Sequence, residues 1–358
     1  MSRFLMLDIG AGTMDVLFFD SETAVNYKAV AKSPTLCLAQ QVGSIQDDLL
    51  ITGCEMGGGP ISEALIQRAK QAEVVMSASA SATIHHEVEK VRSLGIRVVD
   101  DTEAEEMRHD RGYSHLTIGD LDIDRLRHLL QGLGTSFSCD VAGICAQDHG
   151  RPPEGISHLD YRHTVFKGRL DKNLYPHALV YRNDEVPPTL SRLKAIGESA
   201  KALPADEIYV MDSGMAAILG AALDSRAALK DRVLTLDVAT SHTVGAALEQ
   251  GELCGFFEYH TRDITIERLE TLLPQLAAGN LYHKGILKEG GHGAYVRKAF
   301  RSGAPEIILA TGPKRGMLKN SRLPIVFGAP LGDNMMTGTA GVLEAIRRRK
   351  GLESALFL

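Results

Sequence analysis

An apolar run that ends in an acid, bends through small residues and leaves as a second apolar run occurs twice in this chain. The first copy is Leu5-Met6-Leu7-Asp8-Ile9-Gly10-Ala11-Gly12-Thr13-Met14-Asp15-Val16-Leu17-Phe18-Phe19-Asp20, and the second is Leu234-Thr235-Leu236-Asp237-Val238-Ala239-Thr240-Ser241-His242-Thr243-Val244-Gly245-Ala246-Ala247-Leu248. Each reads as strand, tight turn, strand. Asp8 and Asp237 hold the same place in the two hairpins, which points to an internal duplication. Two such hairpins facing each other would clamp one ligand between their bends.

The bends carry residue types suited to phosphate. Glycines at 10 and 12 let backbone N–H groups approach an anion, Thr13 adds a hydroxyl donor, and Asp8 sits where a magnesium hydration shell could be held. Taken alone, the first motif also fits an ordinary glycine hairpin. Its repetition around Asp237 weakens that alternative.

Five segments follow one another in a set order: the loop at 8–15, an apolar small-residue helix at 212–223, the loop at 237–243, a strand entering a glycine turn at 306–316, and a helix at 332–346. In this order the chain resembles the actin-like ATPase superfamily, which holds sugar and acetate kinases, heat-shock chaperones and actin. The resemblance implies an α/β fold of two duplicated actin/ribonuclease-H-like domains with a nucleotide cleft between them. Residues 1–211 plus 332–358 would form the first domain, with a substrate-side excursion near 147–190, and residues 212–331 the second.

It also implies ATP and Mg2+ as cofactors. Asp8 and Asp237 would act through the metal's waters. Gly10, Gly12 and Thr13 would hold phosphate from one side and Thr240, Ser241, His242 and Thr243 from the other, while Gly312 would let adenine and ribose lie close to the backbone. The second loop departs from the superfamily's pattern, with Ala239, Thr240, Ser241 and His242 where glycines are usual. Side chains there keep the backbone farther from phosphate, so a degenerate, non-catalytic binder is one of the readings left open.

More narrowly, the chain resembles a family carried under the label "putative pyruvate formate-lyase activating enzyme". Radical chemistry with S-adenosylmethionine needs three closely spaced cysteines to hold an iron–sulfur cluster. Cys37, Cys54, Cys139, Cys145 and Cys254 offer no such triplet, and the sequence does not support that activity.

The length of 358 residues suits two domains, each with its own core. A net charge of -6 and only 5% aromatic residues argue against a nucleic-acid surface. The basic run Arg347-Arg348-Arg349-Lys350 closes a helical pattern, where cations suit the helix dipole. No stretch reaches the roughly 18 apolar residues of a membrane span. The start runs straight into the first strand without a signal-peptide pattern, and scattered cysteines suit a reducing compartment, so a cytoplasmic protein is expected.

The remaining chain alternates strands and helices, as parallel βαβ units do. Gly57-Gly58-Gly59-Pro60 leads into a helix at 60–71, a place for an anion or a hinge. A helix is expected near 83–94, the acidic segment 101–120 reads as an exposed loop, and 151–190 reads as a long excursion with little periodicity. Asp148 and His149 follow an apolar strand, where open α/β sheets bind ligands, and resemble the Gln-x-His-Gly segment of certain sugar kinases.

Asp148 or Asp212 would take the proton of a small-molecule acceptor in a kinase. Asp212 is equally placed to cap the helix that follows. Arg162, His163 and Arg169 are candidate contacts for an anionic substrate, and Glu258 and His260, two apart, share a strand face, with a mutual hydrogen bond as the plain reading. Phosphoryl transfer to a small molecule or water competes with ATP-driven activation or reactivation of a partner enzyme.

Overall fold

The computed structural model describes residues 2–301 and 303–354. Residues 355–358, which the sequence reading assigned to the first domain, lie outside the described residues. The strands are β1 (Arg3–Ile9), β2 (Thr13–Asp20), β3 (Val25–Lys32), β4 (Asp48–Gly53), β5 (Val74–Ser77), β6 (Arg97–Val99), β7 (Tyr113–Ile118), β8 (Cys139–Ala146), β9 (Val180–Arg182), β10 (Ala205–Asp212), β11 (Arg232–Val238), β12 (His242–Glu249), β13 (Glu252–His260), β14 (Gly293–Val296), β15 (Ile307–Thr311) and β16 (Ile325–Phe327). They form three sheets.

The first sheet runs β3-β2-β1-β8-β10-β9 and the second β14-β13-β12-β11-β15-β16. In the first, β1 pairs antiparallel with β2 and parallel with β8. In the second, β11 pairs antiparallel with β12 and parallel with β15. An antiparallel meander followed by parallel crossover strands, made twice, is the duplicated actin-like architecture expected from the hairpins. β1 is central and buried on both faces, which is why Phe4-Leu5-Met6-Leu7 is a continuous apolar run. β3 lies at the sheet edge and alternates between exposed and half-buried, with Lys28 and Lys32 on it.

The third sheet, β6-β5-β4-β7, is wholly parallel and is inserted between β3 and β8. It has its own core, in which Leu49, Ile51, Ile61, Leu65, Val74 and Met76 pack together. The segment 101–120, expected as a loop, supplies part of this unit. Asp101–Met107 is a helix whose N-cap, Asp100, accepts from the Glu103 N–H at 2.8 Å, and Tyr113–Ile118 is the edge strand β7. Two of its acids, Asp101 and Glu103, are first-turn helix residues, so polarity concealed structure.

The excursion at 151–190 is likewise ordered, holding a helix at His158–Leu170 capped by Ser157. That helix buries only Arg162, Phe166 and Leu170, too sparse an apolar stripe to read as periodic. The helix expected at 83–94 is instead two short ones, Ala78–Ser81 and Val88–Arg92, and Gly95 at φ +87° ends the second.

Two helices join the duplicated halves. Ser213–Ala221 follows β10 and leads to β11, and Thr337–Arg349 returns from the second half to pack on β1 and β8. They cross with almost no side chain between them: a Cβ on Gly220 would overlap the Thr337 carbonyl oxygen, and one on Gly341 would overlap that of Ala216. The interface therefore admits only hydrogen at both positions. Replacing Gly341 with valine should cost at least about 3 kcal/mol, the upper range for overpacking, and lower the thermal midpoint or abolish soluble expression. Gly316→Val, with open space around its Cβ, should change the midpoint little in the same melt.

Candidate functional site

Both hairpins close with the same turn. The Gly10 N–H donates to the Thr13 carbonyl at 2.9 Å, and the Ala239 N–H donates to the His242 carbonyl at 3.1 Å. The bends meet across a cavity of about 450 Å³, lined by Asp8, Gly10, Gly12, Thr13 and Asp15 from the first and Asp237, Thr240, Ser241 and His242 from the second. That volume lies within the range of small-molecule ligand sites. The approach is close: a Cβ on Gly12 would sit 2.7 Å from Thr240 Cγ2.

Gly312 and Pro313 complete one side, with Asn334, Thr337 and Gly338 beside them. Gly312 needs its φ of +87° to turn beneath Asp237. The inserted unit closes another side with Gly57, Gly58 and Gly59, which precede the helix Pro60–Arg68, and with Asp120. Arg192, also on the wall, is held by both oxygens of Asp120 at 2.8 and 2.9 Å.

Three carboxylates converge here. Asp8 and Asp15 face each other in the β1–β2 register, and Asp237 stands at the end of β11. Burial pushes all three carboxyls up, Asp8 to about 7, Asp15 to about 8 and Asp237 to about 6. Repulsion from Asp237 adds to the shift of Asp8, and repulsion from Asp8 to that of Asp15. Thr311 donates to Asp237 at 2.7 Å, whereas Asp15 Oδ1 is buried without a partner among the described residues. A hard divalent cation with oxygen ligands is the chemical complement of such a set. Asp15 was visible in the motif, but only the register showed it aimed at Asp8.

Thr243 does not reach the cavity. It is fully buried and bonds Thr261 Oγ1 at 3.0 Å, and Thr261 donates to the Ala239 carbonyl. Its task is to brace the second turn.

The acids expected to serve an acceptor are engaged elsewhere. Asp148 accepts from the Gly150 N–H at 2.7 Å and the Leu193 N–H at 2.9 Å, one on each oxygen. Asp212 caps the connecting helix through the Met215 N–H and is gripped by Arg162 at 2.5 and 3.2 Å. Arg162 also holds Glu258 at 3.2 Å and the Asp148 carbonyl at 2.7 Å. It is buried and fully committed, so it is not the free anion contact that the sequence suggested. His163 stacks on His283, and Arg169 lies over the Tyr181 ring.

Glu258 and His260 share a strand face but do not pair as expected. Gln147 and Arg162 are the partners of Glu258. Burial alone would raise the Glu258 carboxyl, yet the Arg162 guanidinium and nearby histidines hold it down at about 2. His149, His242 and His260 line the same end of the cavity.

Residues 56–317 match the model of the family described as "Putative pyruvate format-lyase activating enzyme (DUF1786)". No curated protein matches the sequence. Similar solved structures include a Bacteroides thetaiotaomicron VPI-5482 protein with actin-like ATPase fold and unknown function, at 9% identity and a TM-score of 0.36, covering 96% of this chain and 95% of that one. The PilM-PilN type IV pilus biogenesis complex is similar at 10% identity and a TM-score of 0.42, over 96% and 97%. The ethanolamine utilization protein EutJ from Carboxydothermus hydrogenoformans is similar at 9% identity and a TM-score of 0.31, over 95% and 88%. The cysteines that radical chemistry would need are dispersed: Cys139 and Cys145 lie on β8, Cys254 on β13, and Cys37 and Cys54 near the inserted unit. No helix among the described residues is long and apolar enough to cross a membrane.

The raised carboxyls fix a pH dependence. A group whose pKa is higher in the fold than in the unfolded chain stabilises fully below its unfolded value and loses that contribution as pH rises through the folded one. Buried histidines such as His149 and His242 have lowered values, about 3 and 4, so their effect is confined below about pH 6.5. Between pH 6.5 and 8 the metal-free, nucleotide-free protein should therefore lose stability, by up to about 1.4 kcal/mol per pH unit from Asp15. Urea melts across that window should show the slope, and Asp15→Asn should flatten it.

Removing Arg162 leaves Asp212 and Glu258 buried without their cation. Arg162→Met should cost about 3–5 kcal/mol in the same melts. Arg162→Lys should recover only part, because an ammonium cannot grip Asp212 through two nitrogens while reaching Glu258.

Proposed function

The chain belongs to the family whose model it matches over residues 56–317, and on that footing we propose that it binds magnesium–ATP in the cleft between its two hairpins and transfers or hydrolyses the terminal phosphoryl group. The observation that carries this reading is the trio Asp8, Asp15 and Asp237, half-buried or buried where a glycine-and-hydroxyl turn meets a second turn carrying two hydroxyls. Residues of this kind fit a magnesium ion, which when bound would neutralise phosphate charge.

Each side of the cleft has a distinct part. Asp8 and Asp15 would orient the ion's waters from β1 and β2, with Asp237 opposite. Backbone N–H groups near Gly10 and Gly12, with the Thr13 hydroxyl, would receive phosphate from one side, and Thr240 and Ser241 from the other. Gly312, on the cavity wall, would lie against the nucleoside. A Cβ at Gly338 would overlap Asp8 Oδ2, so the returning helix presses its start directly on the first acid. Phosphoryl transfer asks mainly for positioning and charge neutralisation.

Hydrolysis coupled to domain movement is favoured over a small-molecule kinase by one observation: both oxygens of Asp148 and of Asp212 already have partners. On this reading a partner enzyme senses the nucleotide state. Turnover would be slow alone and quickened by the partner. Fast turnover with a metabolite and no protein partner would return the kinase reading.

Calorimetric titration with ATP, ADP and a non-hydrolysable analogue tests the site. Magnesium-dependent binding near micromolar, about -8 kcal/mol, is expected. Asp8→Asn and Gly12→Val should each weaken it at least about tenfold, or 1.4 kcal/mol. Unchanged binding in both variants would overturn the assignment.

A further inference from the structure

We propose that His242, His260 and His292 form a binding site for a divalent transition-metal cation of zinc's class, at the end of the cleft and separate from the magnesium position. One ligand atom from each ring lies within 4.8 Å of the others. Ring centroids are 4.6 Å apart for His242 and His260, 4.9 Å for His242 and His292, and 4.3 Å for His260 and His292. Small side-chain rotations would close that spacing to the roughly 3.3 Å edge set by metal–nitrogen bonds of about 2.0 Å. This site needs none of Asp8, Asp15 or Asp237 and stands independently of the nucleotide reading.

The cluster is built by the fold. His242 begins β12 and His260 ends β13, and the two are directly opposite in the antiparallel register. His292 arrives on the loop Gly290-Gly291-His292-Gly293, pinned by its N–H to the Glu258 carbonyl at 2.7 Å. A Cβ on Gly291 would lie 2.7 Å from the Tyr259 ring, and Gly293 turns at φ +121° against His283. Only glycine on both sides lets the loop press this histidine onto the strand ends.

A second observation points to a ligand. Among the described residues His242 Nε2 and His292 Nδ1 are buried with no hydrogen-bond partner, an arrangement native interiors seldom leave unanswered. Imidazole binds metal in its neutral form, through a ring nitrogen that carries no proton.

Three imidazoles leave a fourth position open, the arrangement of sites that hold water or a substrate oxygen. His149, on the cavity wall, lies beside the cluster: its ring is 6.4 Å from His242 and 6.0 Å from His292, and its Nδ1 is also buried without a partner among the described residues. His149 follows β8 in the other half of the molecule. The open position is thus offered to a water or to an oxyanion of the cleft's ligand, between the two halves.

The full-length protein, stripped with chelator and free of nucleotide, should take up one equivalent of Co2+ with the visible absorption of a four- or five-coordinate ion, displaced by Zn2+. His260→Ala and His292→Ala should each weaken Co2+ binding at least about 100-fold, since even loss of a supporting group costs 10–100-fold. His128→Ala, on an exposed helix face, should leave it unchanged. X-ray absorption of the zinc-loaded wild-type protein requires no variant to fold and should show three imidazole ligands. Absence of stoichiometric uptake, unchanged affinity in both folded variants, or a shell of oxygen alone would overturn the site. Nucleotide binding, measured separately, bears only on the reading above.

Discussion

The contact between two helix backbones at Gly220 and Gly341 governs where everything else in this protein can be. Each glycine lies where a Cβ would strike the opposite helix's carbonyl oxygen, so the two helices meet at the closest distance peptide groups allow. Each helix is anchored in the sheets: Ser213–Ala221 continues directly from β10, and Thr337–Arg349 packs on β1 and β8. The crossing therefore sets the distance between the halves, and with it the gap between the bends. Gly338 extends the same logic to chemistry, because its missing side chain is the space that Asp8 fills.

Two charge arrangements lie on either side of the cleft and answer opposite needs. Around Arg162 each buried acid meets a cation within the protein. One guanidinium contacts Asp212 from the first sheet and Glu258 from the second, and so ties the interface between halves. Around Asp8, Asp15 and Asp237 no ion pair of this kind is made among the described residues. The nearest wall cation, Arg192, is already bound to Asp120. A fold that brings a guanidinium to two buried acids in one place leaves three acids with raised pKa values in another. That contrast gives the carboxylate cluster more weight as a cation site than its composition alone would.

The duplicated hairpins were legible in the sequence because apolar strands, acid and turn recur at matching positions, and the order of the later segments extended this to both halves. Asp8, Gly10, Gly12, Thr13, Asp237, Thr240, Ser241, His242 and Gly312 were all placed at one cavity by that reading. What could not be read was side-chain direction. Asp148, Asp212 and Arg162 have the chemistry of catalytic groups, yet each is engaged by partners that include residues far away in sequence, Leu193 for Asp148 and Arg162 for Asp212. Thr243 looked like a phosphate donor, but the strand pleat turns it inward toward Thr261. The inserted parallel sheet was hidden for another reason: its edge strand and first-turn acids are polar, and a short, half-buried element carries little periodic signal.

Where the two hairpins differ shows how a duplicated scaffold acquires unequal halves. Register aligns Asp8 with Asp15 in the first, whereas Asp237 faces Val244 in the second. The turn that ends in Thr13 in one copy ends in His242 in the other. The first half thus gathers oxygen ligands suited to a hard cation, and the second replaces an acid with an apolar residue and a hydroxyl with imidazole. His242 would be an isolated departure were it not opposite His260, and the Glu258 carbonyl fixes His292 beside both. Three changes that share one strand end and one glycine loop form a coherent surface of nitrogen ligands. The absence of glycines from the second turn then goes with a different set of side chains at the same bend.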